Sequence, residues 1–573
     1  MSITVLFDLR SEVTRLFVAG SGMAAGDRRL LGMLPGLQKL GETAPVFQRI
    51  ASAVQQAIEA APPASAAALL ELGALLNAVL YTQGKSDVPG ELTDVEGTAY
   101  TTSTAVPYRK LQPLLEALTQ KGQGRLEQLQ AGFEQRLFHD FRVIPAAVRA
   151  LDDGYSEIPE FLHKSVLPQY GMEALYELRS QFRMDGGKGA ARRLELIHGL
   201  LGLDALELLL EAAEAGSVEV RAAAVELLGH YPEQLPLVLE QADDKKKEIR
   251  SAAYYALSRI GSDEAIRRLH EALASKDREL AIEPVRLCET FSMALTVIGS
   301  SEQLLAQIES GEEVSRPAQQ LLANLRSLEG KPQPEVTELL IRLLSSAKFV
   351  ASDTDDVQVA AADMLLDTRQ PEADRFALTL DEKYNRKFIS YSFRAAYRLL
   401  PAAELFDRFA PLLKSRRNKV GNDLIAALYK TEYDLDDPRS PGQTAFDPRW
   451  VTLLAGIDEE ELVCRLATGA DREIEAYLLK KCKEKPNFGH FRTVRLLSAL
   501  HRIGYGDMPE LLMSILEGGG KRQLYYLDDE QLGLLRQLPP SYGDRLRAFA
   551  ETLTYESVKR QVLDVADSLA DQA

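Results

Sequence analysis

The chain has 573 residues, with 67 Lys and Arg against 84 Asp and Glu, giving a formal net charge of −17. Hydrophobic residues make up 46% and aromatics 7%, which excludes collagen, mucin and wholesale disorder. Such a length corresponds to roughly four domains of about 150 residues or to one extended repeat structure, and either buries a sizeable core. The acidic balance argues against a general nucleic-acid binder, which needs a basic footprint, although a local basic patch is compatible with it.

Taken from the N-terminus, charges at Asp8, Arg10 and Glu12 interrupt the first apolar run early, so no signal peptide is expected. No later stretch reaches about 18 uncharged apolar residues, so no membrane span is expected either. Gly20-Ser-Gly22 with Gly26 matches part of a dinucleotide fingerprint, but the preceding segment carries Glu12 and Arg15 and reads as helix rather than buried strand. These glycines are expected in a helix–helix turn. The segment from Gly84 to Pro107, with Thr101-Thr-Ser-Thr104, lacks helical periodicity and reads as a long loop.

From there on one phrase repeats. A helix-period apolar segment rich in Ala and Leu is followed by a short Gly, Pro or Asp break, and signals for strands are scarce. Ser217-Val-Glu-Val-Arg221-Ala-Ala-Ala-Val-Glu-Leu-Leu228 aligns with Lys246-Lys-Glu-Ile-Arg250-Ser-Ala-Ala-Tyr-Tyr-Ala-Leu257 at an offset of 29. Val220 and Ile249, Arg221 and Arg250, Ala223 and Ala252, Ala224 and Ala253, and Leu228 and Leu257 coincide in this register. Arg192 stands a further 29 residues upstream and Ala281 a further 29 downstream, with looser echoes at Tyr155–Leu162 and Asp356–Leu366. A period of this size holds two helices of about ten to twelve residues and two turns. Alanines on one face allow close helix approach, and a single pair cannot bury its own apolar face, so a stack is required.

These residues resemble HEAT repeats, in particular the short HEAT-like type found in phycobilin lyases and many bacterial proteins. The resemblance is specific between about residues 140 and 290. Asp244, six residues before Arg250, matches the usual HEAT Asp/Arg pairing between neighbouring units, whereas Ala215 stands in that place before Arg221. The resemblance implies an all-α fold: a curved α-solenoid of stacked antiparallel helix pairs with a binding role and no catalytic residue. The expected division is an N-terminal helical region over 1–107, a HEAT-like solenoid over 108–432 and a C-terminal helical region over 433–573, the last boundary lying in the Asp434–Gly442 loop.

Motifs for chemistry are absent or broken. Gly518-Gly-Gly520-Lys521 lacks Walker spacing, and Gly186-Gly-Lys188-Gly189 reads as a turn. The seven histidines form neither HExxH nor a zinc-type pairing with cysteine, and Pro438 and Pro441 interrupt a calcium-like run at Asp434, Asp436 and Asp437. No GxSxG is present. No cofactor, metal or catalytic residue is therefore expected. Cys288, Cys464 and Cys482 lie far apart without a CxxC, which fits a reducing, cytoplasmic compartment.

One stretch stands out as a candidate partner-binding face, Lys383 to Arg398. Drawn as one helix, it brings Lys383, Lys387, Arg394 and Arg398 within roughly 60° of one another, with Tyr384, Phe388 and Tyr391 beside them. Cations next to aromatic rings hold carboxylate or phosphate and stack on flat groups. The alternative reading of this stretch is an amphipathic repeat helix with an aromatic core face and solvated charges. The favoured function is a non-enzymatic scaffold or adaptor binding a protein or peptide. A nucleic-acid-binding module resembling the HEAT-like DNA glycosylases, using the Lys383–Lys419 basic patch, is a second reading. A lyase acting on a bilin chromophore is a third.

Overall fold

The computed structural model describes residues 2–61, 64–82, 101–311, 313–413, 418–433, 446–518 and 524–570. Among them all regular structure is helical apart from one isolated parallel bridge, Ser103 to Asp140. The chain divides into two units, Met1–Val297 with Arg326–Leu328, and Ile298–Leu325 with Glu329–Ala573. The boundaries expected near 107 and 432 thus lie inside the first and second unit, and residues 434–442 fall outside the described residues.

The first unit begins with helices Ser2–Ala19, Arg28–Gly41, Pro45–Glu59 and Ala64–Thr82, packed around Leu9, Leu16, Leu30, Leu37, Ile50 and Leu69. Gly20 to Ala24 form the helix–helix turn expected of the glycine-rich segment. Gly20 has a φ of 116°, and a Cβ there would lie 2.7 Å from the Val106 carbonyl oxygen, so the turn tolerates no side chain. Helix Ala64–Thr82 is, by length and composition, apolar enough to cross a membrane; the uncharged-run criterion passed over it because Glu71 interrupts it.

Part of the expected loop is ordered, whereas residues 84–100 fall outside the described residues. Residues 101–107 form a strap held at five points. The Thr101 and Thr102 hydroxyls and amides donate to the Glu173 carboxylate, the Ser103 amide donates to the His139 carbonyl at 3.0 Å, and the Ser21 amide donates to the Thr104 carbonyl at 2.7 Å. Arg142 donates to the Val106 carbonyl and pairs with fully buried Asp140 at 2.7 Å. These bonds replace the apolar face that the segment lacks, which is why hydrophobic periodicity does not reveal its order.

Helix pairs follow. Leu206–Ala215 precedes Val218–Leu227, Leu235–Gln241 precedes Lys247–Ile260, and Asp263–Leu273 precedes Arg278–Leu287. The second helices pack side by side, with Lys188–Leu201 at their head. Ala224 and Ala253 are fully buried, and Ala223 and Ala252 nearly so, as the repeat alignment requires. Contact is closest at Gly229, where a Cβ would meet the Ala256 backbone at 2.8 Å.

Arginine clamps tie pair to pair. The Arg221 guanidinium donates to the Ala213 carbonyl at 3.1 Å, in the last turn of the preceding helix, and pairs with Asp244 of the next unit at 3.0 Å. Arg250 repeats the arrangement: it donates to the Asp244 carbonyl at 3.1 Å and grips Asp277 with two bonds of 2.7 Å. Arg125, with no alanine motif around it, does the same with the Ala117 carbonyl at 2.7 Å and Asp153 at 2.5 Å. The Arg221 and Arg125 clamps satisfy carbonyls in the last turn of a helix, the Arg250 clamp one in the following turn, and each adds a charge-assisted bond across the stack.

Arg192 does not belong to this ladder, contrary to the 29-residue alignment. Its helix enters the stack two residues out of step, so that Gly189 and Leu194 take the interior places of Val220 and Val225 and Arg192 faces the same groove as Ala223. The neighbouring Arg193 is the buried one, paired with Asp152 at 2.6 Å.

The second unit stacks helices in the same manner from Pro334–Ser345 to Glu556–Ala570. Its largest buried side chain, Trp450, lies edge-to-face on Phe393 at 5.8 Å and on Phe406 at 5.2 Å. Arginines again bridge neighbouring helices, Arg492 to Glu460 at 2.6 Å and Arg398 to Asp374 at 3.2 Å.

Asp277→Ala leaves the Arg250 guanidinium desolvated without its carboxylate and should cost on the order of 2–3 kcal/mol by denaturant unfolding. Arg250→Met with Asp277→Leu should recover part of that loss. Equal stability of Asp277→Ala and the unaltered protein would show that the clamp does not hold the stack.

Candidate functional site

The side-by-side helices of the first unit border a groove of about 900 Å³. Each helix contributes at the spacing i, i+3, i+4 and i+7, the repeat of one helical face. Lys188, Ala191, Arg192 and Glu195 come from the first, Glu219, Ala222, Ala223 and Glu226 from the second, and Glu248, Ser251, Ala252 and Tyr255 from the third. The central positions of the second and third helices are small, so the floor is shallow and open. Charges occupy the two margins.

Some of these groups are engaged within the chain. The Glu195 carboxylate lies 2.9 Å from His163 Nε2, and Glu160 pairs with Lys164 at 2.7 Å. Glu226 is different. It is half-buried, its carboxylate accepts no hydrogen bond among the described residues, and its pKa is raised. Burial is the main cause; Arg259 pulls the other way and Glu195 adds repulsion. Arg259 itself donates to the Glu226 backbone carbonyl at 3.1 Å. Tyr255 beside it has its phenol pKa raised by burial, then by Glu283 and Glu226.

Behind this margin the His198 and His230 rings lie 4.9 Å apart. The His198 Nε2 is buried without a partner, and burial lowers the pKa of both rings, with Arg259 contributing. No group of three or more His, Cys, Asp or Glu side chains suited to a metal occurs among the described residues.

The Lys383–Arg398 stretch is not one helix. Helix Leu380–Lys383 ends, Asn385 and Arg386 take positive φ angles of 48° and 69°, and a new helix runs over Ile389–Leu399. Its cations contact the neighbouring helices, the two lysines from exposed positions and the two arginines from enclosed ones. The Lys383 ammonium donates to the Ser345 carbonyl at 2.9 Å, and the Tyr384 hydroxyl to the Leu344 carbonyl at 2.8 Å. Lys387 donates to the Val350 carbonyl at 3.1 Å and pairs with Asp355 at 2.8 Å. Arg394 is buried against Asp363 at 3.4 Å, and Arg398 is held by Asp374 and by the Leu366 carbonyl at 2.8 Å. Tyr391 packs on Phe388, and burial pushes its phenol pKa up to about 12. The five residues therefore converge on a clasp, with Arg394 and Arg398 enclosed in it. Of the second basic cluster, residues 414–417 lie outside the described residues.

The groove residues stand in the repeat motif itself. Their outward phase is hidden in the sequence because alanines of this spacing also suit close helix packing, and because Arg192 aligns with Arg221 at an offset of 29.

Residues 206–285 match the HEAT repeat family, and this stretch covers two of the three groove helices. The described residues are all-α, and those of 206–285 form HEAT-type helix pairs. No curated protein matches it. Among solved structures, a chain from the work describing how Kap95p binding induces the switch loops of RanGDP to adopt the GTP-bound conformation is 12% identical, over 97% of this chain and 79% of that one, at a TM-score of 0.29.

Two outcomes follow for the clasp and the histidine pair. Arg398→Glu should destabilise the fold by on the order of 3 kcal/mol, because it sets a like charge against buried Asp374. Lys383→Glu, an exposed position, should cost below about 1 kcal/mol; equal losses in urea unfolding would contradict the clasp. For His198, a folded pKa beneath the unfolded value of about 6.5 means that the unfolded chain binds more protons. Stability is complete above that value and drains away as pH falls below it. His198→Phe should therefore show a smaller drop in melting temperature between pH 7 and pH 5 than the unaltered protein.

Proposed function

We propose that this chain is a non-enzymatic scaffold or adaptor that binds a segment of a partner protein in the groove across helices Lys188–Leu201, Val218–Leu227 and Lys247–Ile260. The observation that carries the reading is the register of small side chains along successive helices, which opens a continuous floor between charged margins. Repeat stacks use such extended surfaces for contact with other chains. The polar groups of the repeats are engaged in clamps between helices rather than gathered into a nucleophile and base, and no catalytic family is indicated. Three free, buried cysteines accord with a cytoplasmic location.

A photo-crosslinking residue at Ser251 should capture a partner in cells, and the same residue at the fully exposed Asp544 should not. Ala222→Trp, which fills the floor from a half-exposed position, should abolish the Ser251 product while leaving the melting temperature unchanged within about a degree. A product that persists with Ala222→Trp would remove the groove from the function.

A further inference from the structure

Apart from the groove, the first unit holds a second cavity, of about 590 Å³, between helix Ser2–Ala19, the first turns of helix Ala64–Thr82 and the strap over residues 101–107. Its walls follow from the local sequence. Gly73 lets the two helices touch, since a Cβ there would lie 3.2 Å from the Phe17 ring. Earlier in the same helix the lining residues are Ala66, Ala67 and Leu70, and the two alanines leave space between the Phe17 ring and the strap. The strap does not collapse onto them, because its bonds run elsewhere: Thr101 and Thr102 to Glu173, Ser103 to His139, and Thr104 to Ser21. Phe141, whose amide donates to the Ser103 carbonyl at 2.9 Å, adds a second phenyl ring to the lining.

Two properties of this lining define what it can hold. In a chain of which 26% of residues are charged, no charged side chain lines the cavity among the described residues. Its polar groups are the hydroxyls of the strap, and Thr101 and Thr102 give theirs to Glu173. The Thr104 hydroxyl and amide make no hydrogen bond among the described residues, so a group that both donates and accepts stands at the edge of an apolar space. Large apolar side chains also stay open to solvent here, Leu70 by 62% and Phe141 by 41%.

We propose that this cavity is a binding site for an uncharged, mostly apolar small molecule with a single hydrogen-bonding group. A charged ligand would lose hydration there without meeting an opposite charge. A neutral one covers Phe17, Leu70 and Phe141 and sets its polar group against Thr104. At about 30 Å³ per non-hydrogen atom, the liquid share of a water molecule, the space takes on the order of twenty such atoms. One side chain of a partner protein would leave much of it empty. The site shares no residue with the groove and does not depend on it.

The probe is N-phenylnaphthylamine, a neutral aromatic amine of about this size whose fluorescence rises in apolar surroundings. Titrated into the full-length protein, it should saturate at a single site. Anilinonaphthalene sulfonate, the same ring skeleton with a fixed negative charge, should bind on the order of tenfold more weakly. Ala67→Trp, which fills the space from an exposed position, should weaken the neutral probe on the order of tenfold at an unchanged melting temperature. Leu70→Lys sets a cation at the mouth and should narrow the gap between the two probes or reverse it, a result that loss of folding would not give. Ala222→Trp, in the groove, should change neither. Equal affinity of the unaltered protein for both probes would overturn the uncharged class of ligand. Full-strength binding to Ala67→Trp would mean that the probe reports apolar surface elsewhere, and absence of binding to the full chain that the cavity is closed in solution; either result overturns the site.

Discussion

The arginine that reaches from one helix pair to the next is the contact on which the stack depends. Apolar burial alone does not fix how successive pairs are aligned, because alanine and leucine surfaces slide with little penalty. A planar guanidinium does fix it. Arg250 meets Asp277 with two bonds and a backbone carbonyl with a third, so a shift of either helix breaks several directional contacts at once. Tyr254 joins from inside, donating its hydroxyl to the same carboxylate at 3.0 Å. Arg250 is the largest cause that holds the Asp277 pKa below its ordinary value, so the pair stays charged where the protein folds.

Fixing the alignment on one side determines what the other side can show. With Val220 and Ile249 inside, and Arg221 and Arg250 at the clamp, the residues two, three and six positions after Val220 and Ile249 face outward. That outward face is the groove. Its floor is low because close helix approach at Ala223, Ala252 and Gly229 leaves no room for long side chains. The same small residues that let the helices pack therefore make the surface open, so a substitution that improves neither packing nor binding has few places to go.

Much of this architecture was legible in one repeat. The coincidence of Val220 with Ile249 and of Ala224 with Ala253 already requires stacked pairs, and all four are fully buried. Legibility ended where spacing changed. Arg192 matches Arg221 in sequence, yet its helix enters two residues out of step, and identity at a fixed period cannot register a connection of altered length. Arg125 was invisible for the converse reason: it makes the clamp without the alanine pair that marks the others. The Lys383–Arg398 stretch failed on backbone conformation. Asparagine and arginine at positive φ interrupt the helix, and neither is a residue that announces a break as glycine or proline does.

Charge in this molecule divides by what desolvation demands of it. Guanidinium groups go inside, at Arg193 and Arg398, because a fork of donors can satisfy carboxylate and carbonyl together. Lys383 and Lys387, by contrast, stay at the margin and reach only helix-end carbonyls and one exposed aspartate. By that division a lysine on the stack is a group for which the fold has little use. Its value lies in whatever approaches from solvent, and half-buried Glu226, whose burial Arg259 offsets only in part, is the complementary case. Those two kinds of residue, rather than the abundant paired charges, are where a surface of this sort distinguishes one ligand from another.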